Sequence, residues 1–229
     1  MIVVTAGTGE YRDIITEQRR RCARWGYEHR VYDLGGLGFG EPFQVRAGDL
    51  KPTIGGDTLP PATFKADLVG MAMREAKENE IVCWLDGDCL PLTEFEPHMP
   101  RESVGVTLRP KPEIGGSKNP ALDYLNSGVV WIRINFEGRE FLRDWLVASK
   151  EMRTDQGALN QCIGLRMDST PEAAAVWEAA MNTSVPLRTG GNALILDCSQ
   201  WNSWHLPPKP DTRILHFKRG IRSAASNYL

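Results

Sequence analysis

Two aspartates, Asp86 and Asp88, follow the apolar run Ile81-Val82-Cys83-Trp84-Leu85 with one glycine between them. An apolar run of this length, ended by turn chemistry, predicts a buried strand. Its carboxyl end then carries two carboxylates, at the edge where open α/β sheets bind ligands. Two negative charges beside a hydrophobic core are costly unless a cation compensates them. Oxygen donors point to a hard divalent ion, magnesium or manganese. A solvated acidic turn is the reading that the two residues alone leave open.

Four further groupings could do chemistry. Thr5 and Tyr11 flank a first strand–helix turn, where a nucleotide would lie against a helix N-terminus. Asn126-Ser127-Gly128 sets an amide and a hydroxyl ahead of a strand, with a glycine that admits a ligand close to the backbone. Asp155-Gln156 opens a predicted helix that continues through Leu159-Asn160. His216-Phe217-Lys218-Arg219-Gly220 closes the last predicted strand with an imidazole and two cations.

The elements that must position these groups follow from periodicity. Ile2-Val3-Val4-Thr5 predicts a first strand, closed by Ala6-Gly7-Thr8-Gly9. A helix then runs to about Trp25, with Tyr11, Ile14, Ile15, Gln18, Cys22 and Trp25 on its inner face and Arg19, Arg20 and Arg21 on a solvated surface. Gly26 ends it, and a strand at 29–32 completes the opening βαβ unit of a parallel sheet. Residues 35–63, rich in glycine and proline, read as a surface excursion.

A helical pattern resumes at Phe64 and feeds the aspartate strand, and strands follow at Val104–Leu108 and Leu125–Ile132. The segment Arg109–Asp123 reads as a mobile binding loop. Phe136–Ser149 is amphipathic, Thr154 can cap the helix that begins at Asp155, and Thr170-Pro171-Glu172 is a strong start for another. Short strands at Val185–Leu187, Ala193–Leu196 and Arg213–Phe217 finish a chain that reads as one α/β domain over residues 1–229.

The composition is that of an ordinary globular domain. The 229 residues are 41% hydrophobic and 24% charged, with a net charge of −2. No global field draws such a chain to nucleic acid or anionic lipid, which argues against a nucleic-acid partner without excluding a modified one. No apolar run reaches the length of a membrane span, and the start has no signal-peptide pattern. Five scattered cysteines without a C-x-x-C pair fit free thiols in a reducing cytoplasm.

Taken in order, these groupings resemble the nucleotide-sugar glycosyltransferases of the GT-A fold, of the glycogenin and lipopolysaccharide-galactosyltransferase type. The resemblance covers roughly residues 1–222. It rests on Val4-Thr5 with Tyr11, on Lys65, on the run into Asp86-Gly87-Asp88, on Tyr124 to Val129, on Asp155-Gln156 with Leu159-Asn160, and on His216-Phe217-Lys218. The closing His-Phe-x-Gly pattern carries one extra residue before Gly220.

The resemblance implies a mixed, mainly parallel central sheet flanked by helices. It also implies transfer of a hexose from a UDP-sugar to a hydroxyl, with retention of configuration and dependence on Mn2+ or Mg2+. Asp86, Asp88 and His216 would hold the metal, while Lys218, with Arg222, would meet the phosphates. Thr5 and Tyr11 would contact the uracil–ribose portion, and Lys65 would reach the donor. Asn126, Asp155 and Gln156 would surround the donor sugar. Trp201, Trp204 and His205 could form a platform for the acceptor, which is expected to be soluble. Two readings from other classes stand beside this one. A haloacid-dehalogenase-like phosphatase would use Asp86 and Asp88, although Leu90 stands where it wants Thr or Val. A carbohydrate-binding relative of the fold would bind sugar without chemistry.

Overall fold

The computed structural model describes residues 1–35, 38, 53–54, 57–58, 64–96, 101–109, 124–165 and 170–229. Most of the expected excursion over 35–63 and of the expected loop at Arg109–Asp123 therefore lies outside the described residues. β1 (Ile2–Thr8), α1 (Arg12–Arg24) and β2 (Glu28–Gly35) form the opening unit, with the two strands parallel. Gly26, at φ +74°, turns the chain out of α1 in left-handed backbone that suits glycine. A two-residue hairpin follows, β3 (Thr53–Ile54) and β4 (Asp57–Thr58). Next come α2 (Lys65–Glu75), β5 (Ile81–Leu85), β6 (Cys89–Pro91), β7 (Val104–Leu108) and β8 (Leu125–Arg133). The chain continues through α3 (Phe136–Met152), α4 (Asp155–Cys162), α5 (Pro171–Ala180), β9 (Ser184–Pro186) and β10 (Asn192–Asp197). A short α6 (Cys198–Trp201), β11 (Ile214–His216) and a 3-10 helix over Arg219–Asn227 complete it.

Seven strands form one sheet in the order β2-β1-β5-β8-β7-β10-β9. β2, β1, β5, β7 and β10 run one way, and β8 and β9 run against them. The aspartate strand β5 lies between β1 and β8 with all five residues buried, as a continuous apolar run requires of a central strand. One face packs on α2 to α5 through Trp145, Trp177 and Tyr124, and the other holds Cys22, Tyr27, Phe95, Trp131 and Trp201. The sheet has no room to spare there. A Cβ at Gly105 would come within 2.0 Å of the Trp131 ring.

Local starts follow the sequence in two helices and depart from it in a third. Asn135 caps α3 by accepting from the Gly138 N–H, and Thr170 caps α5 by accepting from Ala173 N–H ahead of Pro171. Thr154 stands at the cap of α4, but its hydroxyl makes no capping bond. Trp201, which the sequence left between an acceptor platform and the more common core packing, is a core residue tilted against Trp131 at 5.1 Å. Arg21 is not solvated either, because the C-terminal 3-10 helix folds back over α1. Its side chain is 14% exposed and donates to Glu17, to the Pro91 carbonyl at 2.9 Å and to the Tyr228 carbonyl at 2.9 Å.

Two titratable groups make stability depend on pH. The Arg20 hydrogen bond, opposed by burial and joined by Arg21, holds the Glu17 carboxyl down at about 2. Burial, with Arg19 adding, lowers His29 to about 3, so the folded protein keeps this ring neutral. Both folded values lie below the unfolded ones. The associated stability is therefore complete above the unfolded pKa and is lost as pH falls. For His29 the loss runs from an ordinary value of 6.5 down to about 3, with a slope of at most about 1.4 kcal/mol per pH unit. Denaturant unfolding of His29→Gln is expected to show a flatter decline between pH 6.5 and 4.5 than the parent, with the Glu17 contribution fading only below 4.5.

Candidate active site

The two aspartates sit on a tight turn that is fixed from several sides. Cys89 N–H donates to the Asp86 carbonyl at 2.9 Å, and Asp86 N–H donates to the Gly128 carbonyl at 2.9 Å. From α1, the Gln18 amide donates to the Asp86 carbonyl at 3.1 Å and to the Cys89 carbonyl. Gln18 itself accepts from the Thr5 hydroxyl at 3.1 Å. A Cβ on Gly87 would lie 3.0 Å from the Ala6 carbonyl and 3.4 Å from the Tyr11 ring, so only glycine lets the turn approach β1 this closely. Tyr11 thus stands at the rim beside the aspartates.

β6 leaves this turn and pairs antiparallel with β11, which sets His216 opposite Cys89. Phe217 N–H donates to the Asp88 carbonyl at 2.7 Å. The pairing brings His216 Nε2 to 3.1 Å from Asp88 Oδ1. Ligand atoms of Asp88, Cys89 and His216 all lie within 4.8 Å of one another. The Cys89 thiol is a poor third donor. Burial, then Asp86 and Asp88, push it well above the ordinary thiol range, and its Sγ points to the Gly128 carbonyl at 3.5 Å. A protonated thiol does not bind a metal as thiolate does.

Asp86 faces the other way. Its Oδ1 accepts from the Trp84 indole at 2.8 Å and from Lys65 Nζ at 2.7 Å. The same ammonium lies 2.8 Å from Asp155 Oδ2 and 3.0 Å from Ser127 Oγ. Burial alone would lower the lysine, but Asp155 and Asp86 together more than reverse it, and its pKa lies above the ordinary value. Lys65 at the start of α2 therefore ties the end of β5 to the start of α4 and the entry of β8. Asn160 docks α4 on that entry by accepting from Leu125 N–H at 3.1 Å.

The entry of β8 is itself irregular. Val106 of β7 faces Val130, whereas the next residue, Thr107, faces Asn126, so residues 127–129 bulge out of the ladder. The buried Asn126 side chain stabilises the bulge by accepting from Gly128 N–H at 2.8 Å. Gly128 is required here as well. A Cβ would lie 2.9 Å from the His216 ring and 3.0 Å from Asn126 Oδ1.

The structure thus gathers Lys65, Asp86, Asp88, Asn126, Asp155 and His216. Gln156 follows Asp155 on α4, partly exposed. Lys218 Nζ lies 4.0 Å from the centre of the Trp204 ring. Thr5 is fully buried and its hydroxyl turns inward, between Gln18 and His29. The side chain of Arg222 lies outside the described residues. A cavity of about 360 Å³ is lined by Leu108, Arg109, Met181, Asp197, Ser203 and Trp204, none of them a member of this cluster. Sequence reasoning placed Gln18 on the inner face of α1 without a role; a polar residue on an apolar stripe was its signal. Asn202, whose Oδ1 lies 2.8 Å from His216 Nδ1, gave no signal at all.

Removing the central ammonium should expose its importance. Lys65→Met leaves Asp86 and the buried Asp155 facing each other without compensation, and the expected cost is about 3 kcal/mol in urea unfolding. A loss below about 1 kcal/mol would show that solvent already screens the pair.

No family model matches the chain, and no curated protein matches it in sequence. Solved structures do. A glycosyltransferase involved in the glycosylation of the major capsid of PBCV-1 aligns with a TM-score of 0.59 at 12% identity, covering 99% of this chain and 97% of that one. An active-site mutant of LgtC, a galactosyltransferase, aligns with a TM-score of 0.50 at 13% identity, covering 100% of this chain and 93% of that one. At such identities the likeness speaks for architecture. The chain has the GT-A fold, a mixed and mainly parallel sheet flanked by helices, and resembles the LgtC type.

Proposed function

We propose that the chain is a glycosyltransferase that moves a hexose from a nucleotide-sugar, a UDP-sugar, to the hydroxyl of a soluble acceptor, with retention and with a divalent cation. The observation that carries this reading is the convergence of Asp88 Oδ1 and His216 Nε2, 3.1 Å apart, beside an aspartate already held by Lys65. Lys65 faces Asp86 and Asp155, while Asp88 faces His216. Mixed carboxylate and imidazole donors suit manganese. Asp86 would contribute through Oδ2, because its Oδ1 already serves Trp84 and Lys65. When bound, the ion supplies Lewis-acid stabilisation of the departing diphosphate.

The protein's own residues divide the remaining work. The Tyr11 ring at the rim offers a surface on which a nucleobase can stack. Lys218 adds positive charge for phosphate oxygens as the leaving group departs. Lys65 fixes the orientation of Asp155, which in turn holds donor-sugar hydroxyls together with Asn126. The Gln156 amide is a poor nucleophile, and its carbonyl oxygen favours the positive charge that develops at the anomeric carbon. As the anomeric C–O bond breaks, its electron pair goes to the diphosphate. The acceptor oxygen bonds to the same face and passes its proton to a phosphate oxygen.

The cavity beside Trp204 is where an acceptor would sit. Among the described residues, no helix is long and apolar enough to cross a membrane. The five cysteines are free and buried, which fits a reducing cytoplasm. The phosphatase reading draws no support from the fold, which the chain shares with glycosyltransferases.

A panel of nucleotide-sugars with Mn2+, scored for nucleoside diphosphate release, tests the reading. Release is expected from a UDP-sugar, to be abolished by chelation and restored by Mn2+. Asp88→Ala is expected to lose at least about a hundredfold in rate with unchanged circular dichroism. Release that continues undiminished after chelation would sink the metal mechanism.

A further inference from the structure

Behind the metal-ligand candidate His216 lies a buried polar chain that none of the groupings in the sequence suggested. Thr107 of β7 donates its hydroxyl to the Asn126 carbonyl at 3.2 Å. The Asn202 side-chain nitrogen donates to Thr107 Oγ1 at 3.0 Å, and Asn202 Oδ1 lies 2.8 Å from His216 Nδ1. Thr107 and Asn202 are both fully buried, so no solvent competes for these groups. The backbone holds Asn202 in place as well. Its N–H donates to the Cys198 carbonyl, and its own carbonyl accepts from Cys198 Sγ.

The direction of every bond in this chain is fixed by its first member. A carbonyl oxygen only accepts, so the Thr107 proton points to Asn126 and the hydroxyl lone pairs face Asn202. The Asn202 group facing Thr107 must then be the NH2, which turns its oxygen to His216. An amide oxygen cannot donate, so Nδ1 must carry a proton. In the neutral ring the lone pair is then on Nε2, the atom 3.1 Å from Asp88 Oδ1.

We infer that Thr107 and Asn202 are positioning residues that lock neutral His216 in its Nδ1–H tautomer, with Nε2 presented to a cation shared with Asp88. The chain begins at Asn126, the ladder partner of Thr107 next to the β8 bulge, whose carbonyl accepts the Thr107 hydroxyl. The strand entry that shapes the donor-sugar side thus also sets the protonation pattern of the metal side. Orientation of a ligating histidine through its second nitrogen is a general device of metal sites. Its consequence for Mn2+ rests on the proposed metal reading; its geometry does not.

Long-range proton–nitrogen correlation NMR of the metal-free protein in mildly alkaline buffer tests this directly, with the His216 ring assigned by its loss in His216→Gln. The expected spectrum has a proton-bearing Nδ1 and a pyridine-like Nε2. Thr107→Val removes the hydroxyl, and should let the ring redistribute toward the other tautomer and weaken Mn2+ binding by about tenfold to a hundredfold. Thr107→Ser should restore both readouts. A proton-bearing Nε2 with a pyridine-like Nδ1 in the parent protein overturns the inference, as does an unchanged ring spectrum in Thr107→Val. Should Thr107→Val fail to fold, the parent spectrum still decides. Should the parent bind no Mn2+, the proposed function loses its metal, while the ring spectrum continues to judge the chain of bonds.

Discussion

One ammonium between two carboxylates organises the site. Lys65 is nearly excluded from solvent, and burial of a lone lysine would favour its neutral form. Asp86 at 2.7 Å and Asp155 at 2.8 Å reverse that preference. Taking away any one of the three would leave a partly buried charge uncompensated, which opposes their separation. Three elements are bound by it: the start of α2, the end of β5 and the first turn of α4. Asp155 also gains from the N-terminal end of the α4 dipole. Net stability is a secondary product of such a cluster. Its main effect is to hold two acids and the Asn126–Gly128 bulge in one arrangement.

Around that pair, backbone constraints do the finer positioning. Gly87 sits against the Ala6 carbonyl and Gly128 against the His216 ring, each where a methyl group would be crowded. Gln18 reaches from α1 to two carbonyls of the aspartate turn and ties that helix to the end of β5. Buried amides are expensive unless fully partnered, and once partnered they specify a single geometry. Gln18, Asn126, Asn160 and Asn202 all follow this pattern. They are amides without charge: the first three meet backbone carbonyls or N–H groups, and Asn202 joins the Thr107 hydroxyl to the His216 ring.

The central fold was legible because it rests on local signals. The apolar run of β5, the glycine after α1, the Thr170-Pro171 start of α5 and the order of strands and helices all read directly from neighbouring residues. Asp86, Lys65 and Asp155 could be named for the site, but their shared ion cluster joins residues far apart in the chain. The Asp88–His216 approach depends on pairing between β6 and β11, two three-residue strands too short to carry a periodic pattern. Arg21 misled because its helix position is outward-facing, and only the C-terminal segment, arriving from far along the chain, covers it. Trp201 could be read either as platform or as packing, the commoner fate of a tryptophan near a loop, and its contact with Trp131 decides for packing.

The glycine between the aspartates gives them different tasks. Asp86 is directed toward Lys65 and Trp84, and its charge is compensated inside the protein. Asp88 is directed toward His216, whose Nε2 lies 3.1 Å from its Oδ1. A site in which both acids were neutralised by lysines would be stable and inert to metal; a site in which neither was would repel its own fold. The observed division gives one acid a lysine partner inside the protein and the other an imidazole partner across the β6–β11 pairing, so a single glycine separates two different electrostatic environments.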